Sequence, residues 1–336
     1  MSVKIDDLLR VAASHKASDL HLKVGAFPVM RIAGELHPIA DAPRLKQEDT
    51  LDMAFAIMTN RQKQRFKEVS EVDIGYGVKG LGRFRANIFQ QRGTVSVVLR
   101  VIPDRTRSSA ELGLPPVIDR ITEERRGLIL VTGATGSGKS TTLAAMMDYC
   151  NLQRHDHIIT VEDPIEFVHR SQNCLVQHRE VGVHTRSFAN ALRGALREDP
   201  DILLVGEMRD LETIELALTA AATGHLVFGT LHTSSASKAV DRIIDVFPTN
   251  QQNQIRATLA ESLKGVIAQN LFKRIDKPGR VAALEILVVD MAIANLVREA
   301  KTHQIPGMIQ VGKKLGNQPL DDAIMEHLRM KRISPE

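Results

Sequence analysis

Apolar positions in the first hundred residues recur at two spacings. Ile5, Leu8, Leu9 and Ala12 fall three and four apart and predict one face of a short helix. Residues 19–22 and 29–32 read as short strands, and Leu51, Phe55 and Met58 mark the face of a second helix. Three alternating stretches follow. Val72, Ile74 and Tyr76 share one face, as do Phe84, Ala86 and Ile88, then Val95, Val97, Leu99 and Val101. Glycine-bearing turns at 79–82 and 91–93 join them as an antiparallel meander. Residues 1–101 therefore predict a small α+β domain.

The pattern then breaks. Residues 102–116 contain Pro103, Pro115, Pro116 and a polar stretch, and read as an interdomain linker. Beyond it, short β-rich apolar runs at 128–131, 158–161, 202–205, 226–231 and 281–287 alternate with helical stretches. That alternation predicts an α/β domain over 117–336, built on a parallel sheet with crossover helices. The last fifty or so residues read as mostly helical.

Bulk composition changes this picture little. The chain has 336 residues with 43% hydrophobic and 25% charged residues, enough for two ordinary globular domains. A net charge of +4 is too weak to argue for nucleic acid. Cys150 and Cys174 lack metal-ligand spacing and read as inert thiols in a reducing compartment. With neither a signal-peptide pattern nor an apolar run of about 18 residues, the expectation is a cytoplasmic protein.

The sharpest chemical signal is residues 133–140, Gly-Ala-Thr-Gly-Ser-Gly-Lys-Ser, a complete G-x-x-x-x-G-K-[ST] phosphate loop between a predicted strand and a predicted helix. Gly133, Thr135, Gly136, Ser137 and Gly138 would wrap backbone N–H groups around a triphosphate, with Thr141 just behind. Lys139 would reach the β- and γ-phosphates, and Ser140 would ligate Mg²⁺. The following helix adds its positive N-terminal dipole. The expected ligands are ATP and magnesium.

In an open parallel sheet, ligands gather beyond the carboxyl ends of the strands. Glu162 and Glu166 follow the run 158–161, Glu207 follows 202–205, and His232 follows 226–231. An acid after a strand is commonplace alone; behind a phosphate loop it becomes a candidate metal or water ligand. Glu162 lies nearer its strand end than Glu166 and is favoured as the water-activating base, although spacing does not separate them. Glu207 is the Walker B-type acid expected to organise Mg²⁺. His232 is the favoured γ-phosphate sensor and His225 a further sensor candidate. Asp163, before Pro164, reads as a turn residue.

Three longer segments carry a family resemblance. Residues 160–167 (Thr-Val-Glu-Asp-Pro-Ile-Glu-Phe), 196–210 (Leu-Arg-Glu-Asp-Pro-Asp through Gly-Glu-Met-Arg-Asp) and 223–233 (Thr-Gly-His through Leu-His-Thr) resemble the Asp box, Walker B region and His box of the secretion ATPase superfamily, which drives type II secretion and type IV pili. Residues 17–22 and 82–87 resemble the PAS-like N-terminal domain of pilus ATPases. Residues 292–299, Ala-Ile-Ala-Asn-Leu-Val-Arg-Glu, resemble the AIRNLIRE motif of pilus retraction ATPases, with Ala294 where that motif has arginine.

The resemblance implies a RecA-like P-loop NTPase core, a PAS-like N-terminal domain and a homohexameric ring. It implies ATP between the two domains, with the linker as hinge and a neighbouring subunit completing the site. Arg83, Arg85, Arg100, Arg197 and Arg209 are candidates for transition-state or interface charge. Ala292, Ile293, Asn295, Leu296, Arg298 and Glu299 become a candidate coupling element: Ile293, Leu296 and Val297 share a helical face, with Ala292 near them. The implied work is pilus retraction from the cytoplasmic side, through an inner-membrane platform protein and alongside an accessory retraction ATPase. The chain being such an accessory ATPase itself fits the 292–299 match less well. A non-hydrolysing scaffold is disfavoured by the presence of Glu162, Glu207 and His232. A DNA motor is disfavoured by modest charge and few aromatics, and no direct nucleic-acid partner is expected.

Overall fold

The computed structural model describes residues 4–32, 34–102 and 105–335. Pro103 and Asp104, within the expected linker, lie outside the described residues. The chain divides into two compact units, 1–105 and 106–336.

The first unit runs α1 (Ile5–Ser14), β1 (Asp19–Leu22), β2 (Val29–Ile32), β3 (Glu35–Pro38), α2 (Gln47–Ile57), α3 (Asn60–Val69), β4 (Glu71–Val78), β5 (Gly82–Gln91) and β6 (Thr94–Ile102). Its sheet has the order β3-β2-β1-β6-β5-β4, antiparallel throughout. The β4–β6 meander and the apolar face of α1 match the alternation and spacing in the sequence. The face of α2 matches only in part: Phe55 packs against the core and Met58, just past the helix, is buried. Thr50, Met53, Ala54 and Ile57 are its buried residues, while Leu51 is 36% exposed. The aliphatic positions nearest the helix start were misleading because Met53 and Ala54, one turn on, fill the core against β6. Two elements were not expected, β3, whose residues are all exposed, and α3, which buries only Phe66.

The second unit begins with α4 (Ser109–Leu112) and α5 (Val117–Thr122). The stretch 102–116 is thus not uniformly irregular. Ser108 and Glu111 form a capping box, with Glu111 N–H donating to Ser108 Oγ at 3.2 Å. Then come β7 (Gly127–Thr132), α6 (Lys139–Gln153), β8 (His157–Glu162), β9 (Leu175–Glu180), α7 (Phe188–Ala195), β10 (Ile202–Val205), α8 (Leu211–Ala222), β11 (Leu226–Leu231), α9 (Ala236–Asp245), α10 (Thr249–Ser262), β12 (Leu263–Lys273), β13 (Arg280–Val288), α11 (Met291–Arg298), α12 (Ile305–Val311) and α13 (Leu320–Arg329).

The sheet order is β13-β12-β7-β11-β10-β8-β9. Strands β12 through β9 pair in parallel, with apolar clusters on both faces, as expected for helix-covered parallel strands. The run expected to join the parallel set at 281–287 is instead antiparallel, as the outer arm of a hairpin with β12. Its partner passes directly from α10 without a turn, so no breaker marked it.

Loop 163–174, between β8 and β9, buries His169, whose ring stacks on His178 with centroids 5.9 Å apart. Burial, then the neighbouring His178, holds the His169 pKa down at about 4, against an opposing effect of Glu162.

Two predictions arise here. Met53→Ala should destabilise the first unit by about 2–5 kcal/mol and Leu51→Ala by at most about 0.5 kcal/mol. Denaturant unfolding of both variants checks this; equal losses would contradict the assigned face. The native state also favours neutral His169, whereas the unfolded chain takes up that proton near pH 6.5. Its contribution is fully present above that pH and is lost as pH falls toward 4, by at most about 3 kcal/mol. His169→Gln should flatten the decline of unfolding free energy between pH 6.5 and 4; an unchanged slope would contradict the assignment.

Candidate functional site

The loop between β7 and α6 takes its shape from glycine. Gly133, Gly136 and Gly138 have φ of +146°, +79° and +91°, conformations that side chains resist. A Cβ on Gly133 would lie 2.6 Å from Ser137 Oγ, and one on Gly138 would lie 2.7 Å from Gln269 Nε2. Gly136 faces open space, and Ala134 and Thr135 are exposed. The loop is therefore packed against β12 on one side and open on the other. Ser140 and Thr141 are half-buried in the first turn of α6.

Lys139 folds back on its own loop. Its Nζ donates to the Gly133 and Ala134 carbonyls at 2.9 and 3.0 Å. Burial lowers its pKa, while the charges of Glu207 and then Glu166 favour the ammonium. Ser137 Oγ is buried and has no hydrogen-bond partner among the described residues. A loop with open space, an orphaned hydroxyl and a lysine bonded to its own loop's carbonyls fits a phosphate group. Among the described residues no cluster of three or more His, Cys, Asp or Glu could hold a metal by itself. A divalent ion here would therefore rely on Ser140, Glu207 and the nucleotide's own oxygens.

The other strand ends meet this loop. Gly206 N–H donates to Val161 O at 2.8 Å, and Thr230 Oγ1 donates to Gly206 O, which fixes the turn carrying Glu207 between β8 and β11. A Cβ on Gly206 would press on Val161 O at 3.1 Å and Glu162 Cα at 3.2 Å. Glu207 Oε1 lies 3.0 Å from His232 Nε2 and also pairs with Arg209. His232 is itself pinned by its neighbours. Thr233 N–H donates to Thr132 Oγ1 at 2.8 Å, tying the end of β11 to the end of β7.

The two Asp-box glutamates point to different neighbours. Glu162 Oε2 accepts Glu166 N–H at 3.2 Å, and its Oε1 lies 3.8 Å from His178 Nδ1 on β9. His178 Nδ1 is also 2.8 Å from Thr160 Oγ1. Buried Glu180 accepts Ile165 N–H at 3.2 Å. The charge of Glu166 favours the Lys139 ammonium, while Glu162 turns to the β9 side.

Several expected residues do not join this group. His225 precedes β11, its carbonyl accepting Gly127 N–H at 2.9 Å and its Nδ1 lying 3.0 Å from Ala220 O. That is the amino end of the strand, roughly 20 Å from the loop at six residues' rise. A sensor role within this site does not fit His225. Arg197 follows α7 and precedes β10, again at the amino end, and is exposed. The arginines of the first unit are described only within that unit: Arg85 donates to Asp73 Oδ2 at 2.9 and 2.6 Å, Arg100 donates to Asp19 Oδ1 at 3.0 Å, and Arg83 is the second residue of β5.

On α11, Ile293 and Val297 are buried, with Leu296 and Ala294 partly buried against the same core. Ala292 is exposed, contrary to its expected place beside that face. Ala294, where the resembling motif has arginine, lies against apolar neighbours. The polar side carries Asn295, Arg298 and Glu299. Arg298 donates to Asn295 Oδ1 at 2.8 Å, and Glu299 pairs with Lys301 at 2.7 Å.

Sequence reasoning missed Gln269 on β12. It is 4% exposed and spans loop and helix: its Nε2 donates to Ser137 O at 2.7 Å, and its Oε1 accepts from Thr142 Oγ1 at 2.6 Å. A polar residue inside the apolar stretch 263–272 was the available signal, hidden because β12 itself was not expected.

Comparison with known proteins agrees with this geometry. The model of the family described as type II/IV secretion system protein matches residues 2–327. The type IV pilus retraction ATPase PilT of Pseudomonas aeruginosa is 52% identical, covering 94% of this chain and 92% of that protein. The type IV pilus ATPase PilU of the same organism is 37% identical, covering 99% and 87%. A crystal structure of the pilus retraction motor PilT with bound ADP superposes with a TM-score of 0.86 at 47% identity, covering 99% of this chain and 98% of that one. With its phosphate loop, converging strand ends and a match over nearly its whole length, the chain belongs to the type II/IV secretion system protein family.

Proposed function

We propose that this chain is an ATPase motor that retracts type IV pili. The observation that carries the reading is the convergence of Lys139, Glu166, Glu207 and His232 beyond the strand ends, in a chain 52% identical to a pilus retraction ATPase. The lower identity to PilU, 37%, favours the retraction motor over the accessory one.

Each residue has a task in hydrolysis. Gly136, Ser137 and Gly138 would hold the triphosphate through backbone N–H groups, Ser137 N–H giving up its bond to Ala134 O, and Lys139 would exchange its loop carbonyls for β- and γ-phosphate oxygens. Ser140 and Glu207 are the residues that would hold a magnesium ion, which would supply charge neutralisation at the phosphates. Glu166 orients and deprotonates the attacking water. The base role passes to it from Glu162, because its charge favours the Lys139 ammonium whereas Glu162 is engaged with the Glu166 N–H and faces His178. His232, held by Glu207, senses the γ-phosphate. Arg209 is the arginine beside this acid, and Arg83, Arg85 or Arg100 of a neighbouring subunit would add charge in a homohexameric ring.

Hydrolysis would flex the chain within 102–116. The exposed Asn295, Arg298 and Glu299 of α11 would pass that motion to an inner-membrane platform protein. The motor would work at the cytoplasmic face through partners; among the described residues no helix is long and apolar enough to cross a membrane.

Lys139→Ala should lower kcat by about 10²–10³. A phosphate-release assay on the purified, folded protein checks this, and turnover near the original rate would remove the site assignment. Glu166→Gln should bind ATP and lose about 10²–10⁴ in hydrolysis rate. Glu162→Gln should lose less, because an amide oxygen still accepts the Glu166 N–H. The reverse order in single-turnover assays would return the base role to Glu162.

A further inference from the structure

We propose that Gln269 is a positioning residue that aims the phosphate loop from the neighbouring strand. The inference rests on the reading of 133–140 as a nucleotide site and adds a residue outside that motif.

The orientation of the Gln269 amide is fixed by its partners. Ser137 O can only accept, so the atom 2.7 Å from it is the NH₂ donor. The remaining oxygen then accepts from Thr142 Oγ1 at 2.6 Å. Gln269 and Thr142 are both buried, so water does not substitute readily for either bond.

The consequence lies in the peptide that joins Ser137 to Gly138. In a trans peptide the carbonyl and the following N–H point in opposite directions. Drawing Ser137 O toward β12 turns Gly138 N–H away from β12. Gly138 can take this orientation because its φ is +91° and because a Cβ there would meet Gln269 Nε2 at 2.7 Å. Gln269 and Gly138 are therefore matched: the absent side chain makes room for the amide, and the amide sets the direction of the N–H. The other end of the same amide fixes α6 through Thr142, so loop and helix are referred to one strand. Within the motif, Ser137 N–H bonds back to Ala134 O at 3.1 Å, which fixes the preceding peptide, whereas the 137–138 peptide is held through its carbonyl by Gln269.

The two ends of the amide can be tested separately. Gln269→Glu keeps the acceptor for Thr142 and replaces the donor with an oxygen that repels Ser137 O. Thr142→Val removes the bond at the other end at similar volume and leaves the Ser137 contact. ADP affinity is measured by calorimetry on the full chain, beside thermal unfolding without nucleotide. Gln269→Glu should weaken ADP at least tenfold, while Thr142→Val, although less stable to heat, should bind within about threefold of the unaltered protein. Gln269→Asn, which keeps the amide but is too short to span both partners, should also lose at least tenfold, and it serves if the glutamate variant does not fold. Equal losses in the Thr142 and Gln269 variants, or ADP binding by either Gln269 variant within twofold of the original, would overturn the proposal. Lys139→Ala measured alongside separates the two readings. If it loses ADP and the Gln269 variants do not, only the role of Gln269 fails; if it too binds normally, the nucleotide site itself is misplaced.

Discussion

Parallel register places four different segments at one place. The ladders set Val205 beside Val161 and Gly229, and Thr132 beside Leu231. Whatever follows each strand must therefore emerge on the same edge of the sheet. The phosphate loop, Glu166, Glu207 and His232 are separated by up to about a hundred residues of sequence and are gathered by this register alone. The buried apolar faces on both sides of the strands keep it from slipping, because a one-residue shift would turn each strand's side chains to the opposite face.

Close backbone approach then refines the gathering. Gly206 lets the Glu207 turn sit against Glu162, and Gly133 and Gly138 let the phosphate loop sit against β12. Polar anchors on the strands accompany these close approaches. Thr230 holds Gly206 O, Thr132 receives Thr233 N–H, and Gln269 holds Ser137 O. These anchors lie in the sheet, not in the loops they restrain. A ligand that moves the loop must therefore work against strands, and β12 leads through β13 directly to α11.

The legible parts of the chain were those with period or chemistry of their own. The phosphate loop, the central strand runs and the β4–β6 meander were readable because their residues repeat at fixed spacing. β9 was not, because Leu-Val-Gln-His-Arg-Glu at a sheet edge has no apolar alternation. α3 was hidden because it buries only Phe66, although Thr59 and Gln62 form the capping box that announces it. Within the site, strand-end position favours Glu162 over Glu166, and the sequence could not show that Glu162 accepts the Glu166 N–H and faces His178 across the sheet edge. His225 and Arg197 looked close in sequence to site residues, yet a strand's length separates them from the loop. Position along a strand decides membership of the site, and sequence proximity does not.

The central claim is that the carboxyl ends of β7, β8, β10 and β11 form one nucleotide site. Hydrogen exchange on the intact chain, with and without magnesium and a non-hydrolysable ATP analogue, tests it most directly. The account predicts nucleotide-dependent protection at 133–142, at 162–166 and at 206–208 together, with the amino ends of the same strands unchanged. Protection confined to one of these segments, or appearing at the amino ends around 197–201 and 223–226, would contradict it.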